Sequence, residues 1–207
     1  MPKTAPSPPE TDPRTEQILD IATEVFAQRG FRGADVQEIA DRLAIGKGSV
    51  YRRFETKERL FLAAAERGKQ KLQAAIDAAA APLEDPLAQI RAAILAFLIF
   101  FDENPAMVEL VIEERAHFKD RATHTFFDFQ QKSDDPWPGR VEALIRARVM
   151  RDLPVQQIME TIAQLIYGAV FVNFFGGRRQ SLAQQCDQLI DLIFHGILRK
   201  PGTENHA

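Results

Sequence analysis

Residues 36–61, VQEIADRLAIGKGSVYRRFETKERLF, leave this chain few ways to fold. Val36, Ile39, Ala40 and Leu43 recur at steps of three and four, which places them on one buried helical face. Asp35 stands just before this run and Glu38 three residues later, the spacing of a capping box in which each side chain satisfies a free backbone N–H. Ala44-Ile45-Gly46 breaks the pattern, and the glycine is expected to supply a turn conformation closed to other residues. A second helix over 47–54 turns Val50 and Phe54 inward and leaves Lys47, Ser49, Arg52 and Arg53 outward. Two short helices joined by a tight turn form the helix-turn-helix pattern, whose second helix enters the DNA major groove.

Charge points the same way. Between residues 42 and 57 five basic residues (Arg42, Lys47, Arg52, Arg53, Lys57) face one acidic residue, Glu55, in a chain whose net charge is −3. An acidic protein with one short basic stripe concentrates its phosphate-binding capacity there. Expected DNA-contacting residues are Lys47, Gly48, Ser49, Tyr51, Arg52, Arg53 and Lys57. Lys47 and Ser49 open the recognition helix and reach base edges, while Gly48 lets the backbone approach. Tyr51, Arg52 and Arg53 suit phosphate, with Arg52 also a candidate base reader, and Lys57 starts the next helix, where free N–H groups favour an anion.

The run Ile18-Leu19, Ala22, Phe26 and Gly30-Phe31, followed by Val36, Ile39-Ala40, Lys47-Gly48-Ser49-Val50-Tyr51, Phe54, Thr56-Lys57-Glu58 and Leu60-Phe61, resembles the amino-terminal domain of the tetracycline-repressor (TetR) family of bacterial regulators. Three positions depart from that family's usual form: Asp35 where Thr or Ser is common, Gly46 where Ser is common, and Arg53 in place of Tyr or His. Asp35 still caps a helix, but a carboxylate has no proton to donate to a phosphate oxygen.

Prolines and glycines at Pro82, Pro86, Pro105, Pro136, Pro138, Pro154 and Gly176-Gly177 cut the remainder into helical patterns with no strand signal, so an all-α fold of nine or ten helices is expected. The first covers about 13–29 and a long fourth covers about 57–79. The expected organisation is a disordered arm over 1–11, a DNA-binding domain over 12–60, an effector-binding and dimerisation domain over 61–200 and a flexible tail over 201–207. Residues 1–13 are proline-rich with no apolar stretch, neither a signal nor an anchor, and Lys3 is a weak candidate for touching DNA. A single cysteine, Cys186, excludes an internal disulfide, fits a reducing cytoplasm and is expected as a buried thiol.

Two helices near the end carry wide apolar stripes. Ile158, Ile162, Leu165, Ile166 and Ala169 lie on one, and Leu189, Ile190, Ile193, Phe194 and Ile197 on the other. Apolar residues off the stripes, including Phe171, Phe175 and Leu192, call for partners on further faces. The resemblance implies that these helices pair with their copies in a second subunit, and Gly168 would allow close approach. The segment 83–151 holds most of the aromatics and is expected to enclose an apolar or amphipathic effector, with Phe97, Phe101, Glu114, His117, Phe118, Arg121, Phe126 and Trp137 as candidates. Glu113, His117, Asp120 and His124 follow steps of four, three and four, a shared helix face that more commonly pairs charges than binds metal.

Gly46-Lys47-Gly48-Ser49 imitates a phosphate-binding loop but has Gly48 where that motif needs Ser or Thr, and Asp41 where it needs glycine. HExxH, CxxC and GxSxG are absent from the sequence. The expected function is therefore a cytoplasmic, nucleoid-bound homodimer that binds a pseudo-palindromic operator and is released by a small molecule. No cofactor, metal, catalytic residue or membrane partner is expected. The alternatives are an effector-independent architectural dimer and an enzyme with an unrecognised site.

Overall fold

The computed structural model describes residues 12–121, 124–127, 135–177 and 181–196. Among them the chain forms α1 (Pro13–Gly33), α2 (Val36–Arg42), α3 (Lys47–Phe54), α4 (Lys57–Ala80), α5 (Pro86–Glu103), α6 (Pro105–His117), a 3-10 turn (Thr125–Phe127), α7 (Trp137–Arg146), α8 (Val155–Phe175) and α9 (Leu182–His195), with no strand among the described residues. The amino-terminal arm, Lys3 and the carboxyl-terminal tail lie outside the described residues. So does Ile197.

Two compact units result, one comprising Met1–Lys71 with Pro105–Phe129 and the other Leu72–Asn104 with Gln130–Ala207. The division differs from a linear boundary at residue 60, because α6 packs against α1 and joins the reading head.

In the first unit Ile18, Ala22, Val25 and Phe26 of α1 are fully buried with Ile39 and Ala40 of α2, Val50 of α3 and Phe61 of α4. The Phe26 and Phe61 rings meet edge to face, centroids 5.1 Å apart. Asp12 caps α1 by accepting from Arg14 N–H at 3.1 Å, and Pro13 starts the helix. Helix α1 continues past the expected end at Arg29 to Gly33, but Gly30 breaks its geometry with φ 68° and ψ 167°. Glycine suits that conformation because it carries no Cβ.

In the second unit α5 packs against α7, α8 and α9. Phe97 and Phe101 are buried and meet the Tyr167 ring at 4.9 and 6.4 Å, and burial pushes the Tyr167 hydroxyl pKa up. Asp102 accepts from the N–H groups of Leu182 and Ala183 at 2.5 and 3.3 Å, satisfying the start of α9. Cys186 is buried, as expected, and burial raises its thiol pKa.

The Met107 side chain of α6 lies over Gly68 of α4, where an added Cβ would overlap Met107 Sδ. Alanine would gain about 1 kcal/mol of helix propensity but overpack the contact by about 1–3 kcal/mol. Gly68→Ala is therefore expected to destabilise the fold, read as a lower midpoint in urea unfolding; an unchanged or raised midpoint would show that Met107 moves away freely.

Candidate nucleic-acid interface

Helix α3 buries Val50 and Phe54 and turns the rest of its surface to solvent. Gly48, Tyr51, Arg52 and Arg53 are exposed and Lys47 and Ser49 half-exposed. An added Cβ at Gly48 would meet nothing within 4 Å, so that side is open to an approaching surface. All seven expected contact residues thus lie on α3 or at the start of α4. Lys57 spends one donor on the Arg32 carbonyl at 3.1 Å and sits 5.1 Å from the Phe31 ring centroid.

The turn that sets this geometry differs from the expected one. Gly46 has an ordinary φ of −74°, and the left-handed residue is Ala44 with φ 51°. The glycine is the N-cap of α3 and provides no side-chain cap, so the expectation that its freedom makes the turn is corrected. The capping box is half formed. Asp35 accepts from Gln37 N–H at 2.8 Å, but Glu38 instead pairs with Arg42 at 2.6 Å and Arg29 at 3.5 Å, charges that outcompete a return to the cap.

Two carboxylates reach onto the basic face. Lys47 Nζ donates to Asp35 Oδ1 at 2.9 Å, and Arg53 Nη2 donates to Asp12 Oδ2 at 3.1 Å. Asp35 lies below the ordinary carboxylate value of 3.8, mainly because Gln37 N–H and then Lys47 bond to its charged form. Asp12 is lowered likewise by Arg14 N–H and then Arg53. The bond to Asp35 in turn raises the Lys47 pKa above 10.5. Arg52 makes only a long contact with Ser49 Oγ, 3.4 Å, and carries no ion pair among the described residues.

The expected effector residues divide. Phe97, Phe101 and Trp137 belong to the second unit, whereas Glu114, His117, Phe118, Arg121 and Phe126 belong to the first. Within the first unit His117 and Phe118 pack on the Phe31 ring at 5.5 and 5.0 Å, and Phe118 stacks on Phe61 at 5.4 Å. They extend the aromatic core of the reading head. Glu114 is 1% exposed; its Oε1 accepts from Arg121 Nη1 at 2.6 Å and from the Thr125 N–H and hydroxyl at 3.0 Å each. Glu114 therefore ties the 3-10 turn and Arg121 to α6, and its buried carboxylate is already engaged. Phe126, within that turn, is buried.

The supposed line Glu113, His117, Asp120 and His124 does not share a helix face, because α6 ends at His117. Glu113 accepts from the Phe31 N–H at 2.5 Å and lies 3.2 Å from His117 Nε2. No group of three or more His, Cys, Asp or Glu side chains suited to a metal ion occurs among the described residues.

On α8, Leu165 is 45%, Val172 74% and Phe175 70% exposed, and Leu192 of α9 is also open. Ile158, Ile162, Ile166, Ala169, Leu189, Ile193 and Phe194 are half-exposed. Ile190, expected on the same interface, is 3% exposed and lies with Leu182 and Cys186 on the buried side of α9; that expectation is corrected. Gly168 has nothing within 4 Å of an added Cβ. By length and composition α8 is apolar enough to cross a membrane, but Gln156, Gln157, Glu160, Thr161 and Gln164 make its first half polar on one side.

Residues 18–64 match the profile of the bacterial regulatory proteins of the tetR family. Over these residues the chain is similar to the DNA-binding domain of that family. It is 34% identical over 102 residues to the HTH-type transcriptional activator FasR of Mycolicibacterium smegmatis, a match that covers 49% of this chain and 47% of that protein. The chain thus spans about half the length of that relative, and 22% of the KstR2 repressor of Rhodococcus jostii. A second KstR2 repressor, from Mycolicibacterium smegmatis, is 26% identical over 97% of this chain and 98% of its own. The fold is similar to that of the transcriptional regulator FadR from Bacillus subtilis in complex with stearoyl-CoA, with a TM-score of 0.68, 17% identity, and coverage of 88% and 99% of the two chains.

Replacing Asp35 with threonine, the residue common in the family, removes the acid that holds Lys47. Asp35→Thr is expected to tighten DNA binding about three- to tenfold at 0.1 M salt and to steepen the slope of log K against log salt by about one. Equal affinity and slope in fluorescence anisotropy would show that the pair does not compete with DNA.

The Asp12 and Asp35 shifts also have a sign. Both pKa values are depressed on folding, so both carboxylates contribute stability above about pH 4 that is lost as pH falls through the folded values. Urea unfolding of the double variant Asp12→Asn, Asp35→Asn should therefore show a deficit against the parent at pH 6 that shrinks toward pH 3. A deficit independent of pH would contradict the assignment.

Proposed function

We propose that this chain is a ligand-responsive transcriptional repressor that binds a pseudo-palindromic operator as a homodimer. The observation that carries the reading is the outward face of α3, where Gly48, Ser49, Tyr51 and Arg52 are presented by a helix anchored through buried Val50 and Phe54. In this reading Lys47 and Ser49 read base edges, while Arg52, Arg53, Tyr51 and Lys57 hold phosphates. One recognition helix reads too few base pairs for useful specificity, and a two-fold dimer doubles the site.

The open apolar residues of α8 and α9 are the proposed dimer surface. Exposed Leu165, Val172, Phe175 and Leu192 support it, since monomeric soluble proteins seldom leave a contiguous apolar strip in water. The protein then works in the cytoplasm, on the nucleoid when bound to DNA. Its effector is a small amphipathic molecule, a reading supported by the likeness to a regulator solved with stearoyl-CoA and by the aromatic group Phe97, Phe101 and Tyr167. Release requires tighter effector binding to the DNA-free form, and the coupling is reciprocal.

Val172→Glu tests the dimer and the operator claims together. The parent should sediment as a dimer and the variant as a monomer, with at least about a hundredfold weaker binding to the preferred inverted repeat. A dimeric variant, or a monomer with parental affinity, would contradict the reading.

A further inference from the structure

Arg140 lies in the first turn of α7, beside the chain's single tryptophan. Its guanidinium carbon is 4.3 Å from the centroid of the Trp137 ring. Its Nε donates to Gln89 Oε1 at 2.6 Å. Gln89 is itself fixed, because its Nε2 donates to the Leu83 carbonyl at 2.6 Å. The arginine fork is thus held from two sides, by a ring and by an oriented amide.

Its far end is incomplete. Nη1 is buried, and among the described residues it has no hydrogen-bond partner. The described carboxylates flanking Arg140 in sequence, and Asp85 four residues before Gln89, each have another partner. Asp85 accepts from Ala88 N–H at 2.9 Å, Asp135 accepts from Trp137 N–H at 3.1 Å, and Glu142 faces Arg146 at 3.7 Å. A charged donor buried without an acceptor costs more than a neutral one, and it is satisfied most directly by an anion.

We propose that Arg140 anchors the anionic head of the effector, an amphipathic molecule with a carboxylate or a phosphate at one end and an apolar chain at the other. This rests on the effector reading above and narrows it to acids. The guanidinium presents parallel N–H groups that match either oxyanion. Because Gln89 and Trp137 already fix the fork, little of its freedom remains to be lost on binding. Phe97 lies eight residues beyond Gln89 on α5, about 12 Å along the helix at 1.5 Å per residue. The aromatic group of Phe97, Phe101 and Tyr167 is therefore within the length of a medium acyl chain from the anion site, and all of these residues belong to one unit.

Trp137 is the reporter, since it is the single tryptophan and excitation at the red edge of indole absorption leaves the two tyrosines dark. The full-length protein is titrated with dodecanoate, with dodecanoyl-CoA and with 1-dodecanol, each below its micellar concentration. At least one of the two anionic probes should give a saturable change and bind at least about tenfold more tightly than the alcohol. Preference for the free acid would assign a carboxylate head, and preference for the thioester a phosphate-bearing one. Arg140→Gln should bring acid, thioester and alcohol to similar affinity, while Arg140→Lys keeps part of the preference. Thermal melting of each variant separates lost binding from lost folding, and if Arg140→Gln does not fold, the lysine variant and the parental preference decide.

Equal binding of alcohol and acids by the parent, no saturable change with either acid, or an undiminished preference in folded Arg140→Gln would overturn the anchor. Operator binding released only by an uncharged compound would keep the regulator reading and sink the anchor. Absence of sequence-specific DNA binding would sink the regulator reading, and the tryptophan titration would still decide the anion site.

Discussion

The backbone N–H of Phe31 is the point on which the first unit turns. Gly30 takes a left-handed conformation that breaks α1, and the next residue's N–H, freed from the helical ladder, is donated at 2.5 Å to Glu113 of α6. The break also aims the Phe31 ring into a cluster with Phe26, Phe61, His117 and Phe118. An added Cβ at Gly30 would lie 3.2 Å from the Glu113 carboxylate, so both the conformation and the space favour glycine. One glycine and one carboxylate thus make α6 part of the reading head, and any displacement of α6 must break a hydrogen bond to charge or carry α1 with it.

The DNA-facing surface is less basic than its count of lysines and arginines suggests. Asp35 and Asp12 occupy Lys47 and Arg53 in the free protein, whereas Arg52 is left outside any ion pair among the described residues. DNA must compete with these carboxylates for the same donors, and both contests are fought in water, where each pair is weak and salt-sensitive. Such internal competitors lower non-specific attraction more than they lower binding to a site whose base contacts add independent energy.

Much of this was legible in the chain. The spacing of Val36, Ile39, Ala40, Val50 and Phe54 marked the buried side of both short helices, and all five are buried. The outward positions of Ser49, Arg52 and Arg53 follow from the same period. What escaped the pattern was decided by contacts distant in sequence. Nothing local distinguishes Ala44 from Gly46 as the left-handed residue, nor assigns Glu38 to Arg42 and Arg29 over its own cap. His117 and Phe118 read as pocket walls because their partner, Phe31, is more than eighty residues away. On α9 a wide stripe does not say which edge faces inward; Ile190 is buried while Leu192 is open. Arg140 gave no signal at all, since its incompleteness depends on Gln89 being turned toward it.

The central claim is that this chain reads a specific inverted repeat, and selection of bound sites from a random duplex library at a stated salt concentration tests it most directly. The account predicts enrichment of one near-palindrome whose half-sites lie in successive major grooves, with preference lost where Lys47 or Ser49 is replaced by alanine. Salt-sensitive binding that enriches no sequence would contradict it and leave an architectural dimer as the better description.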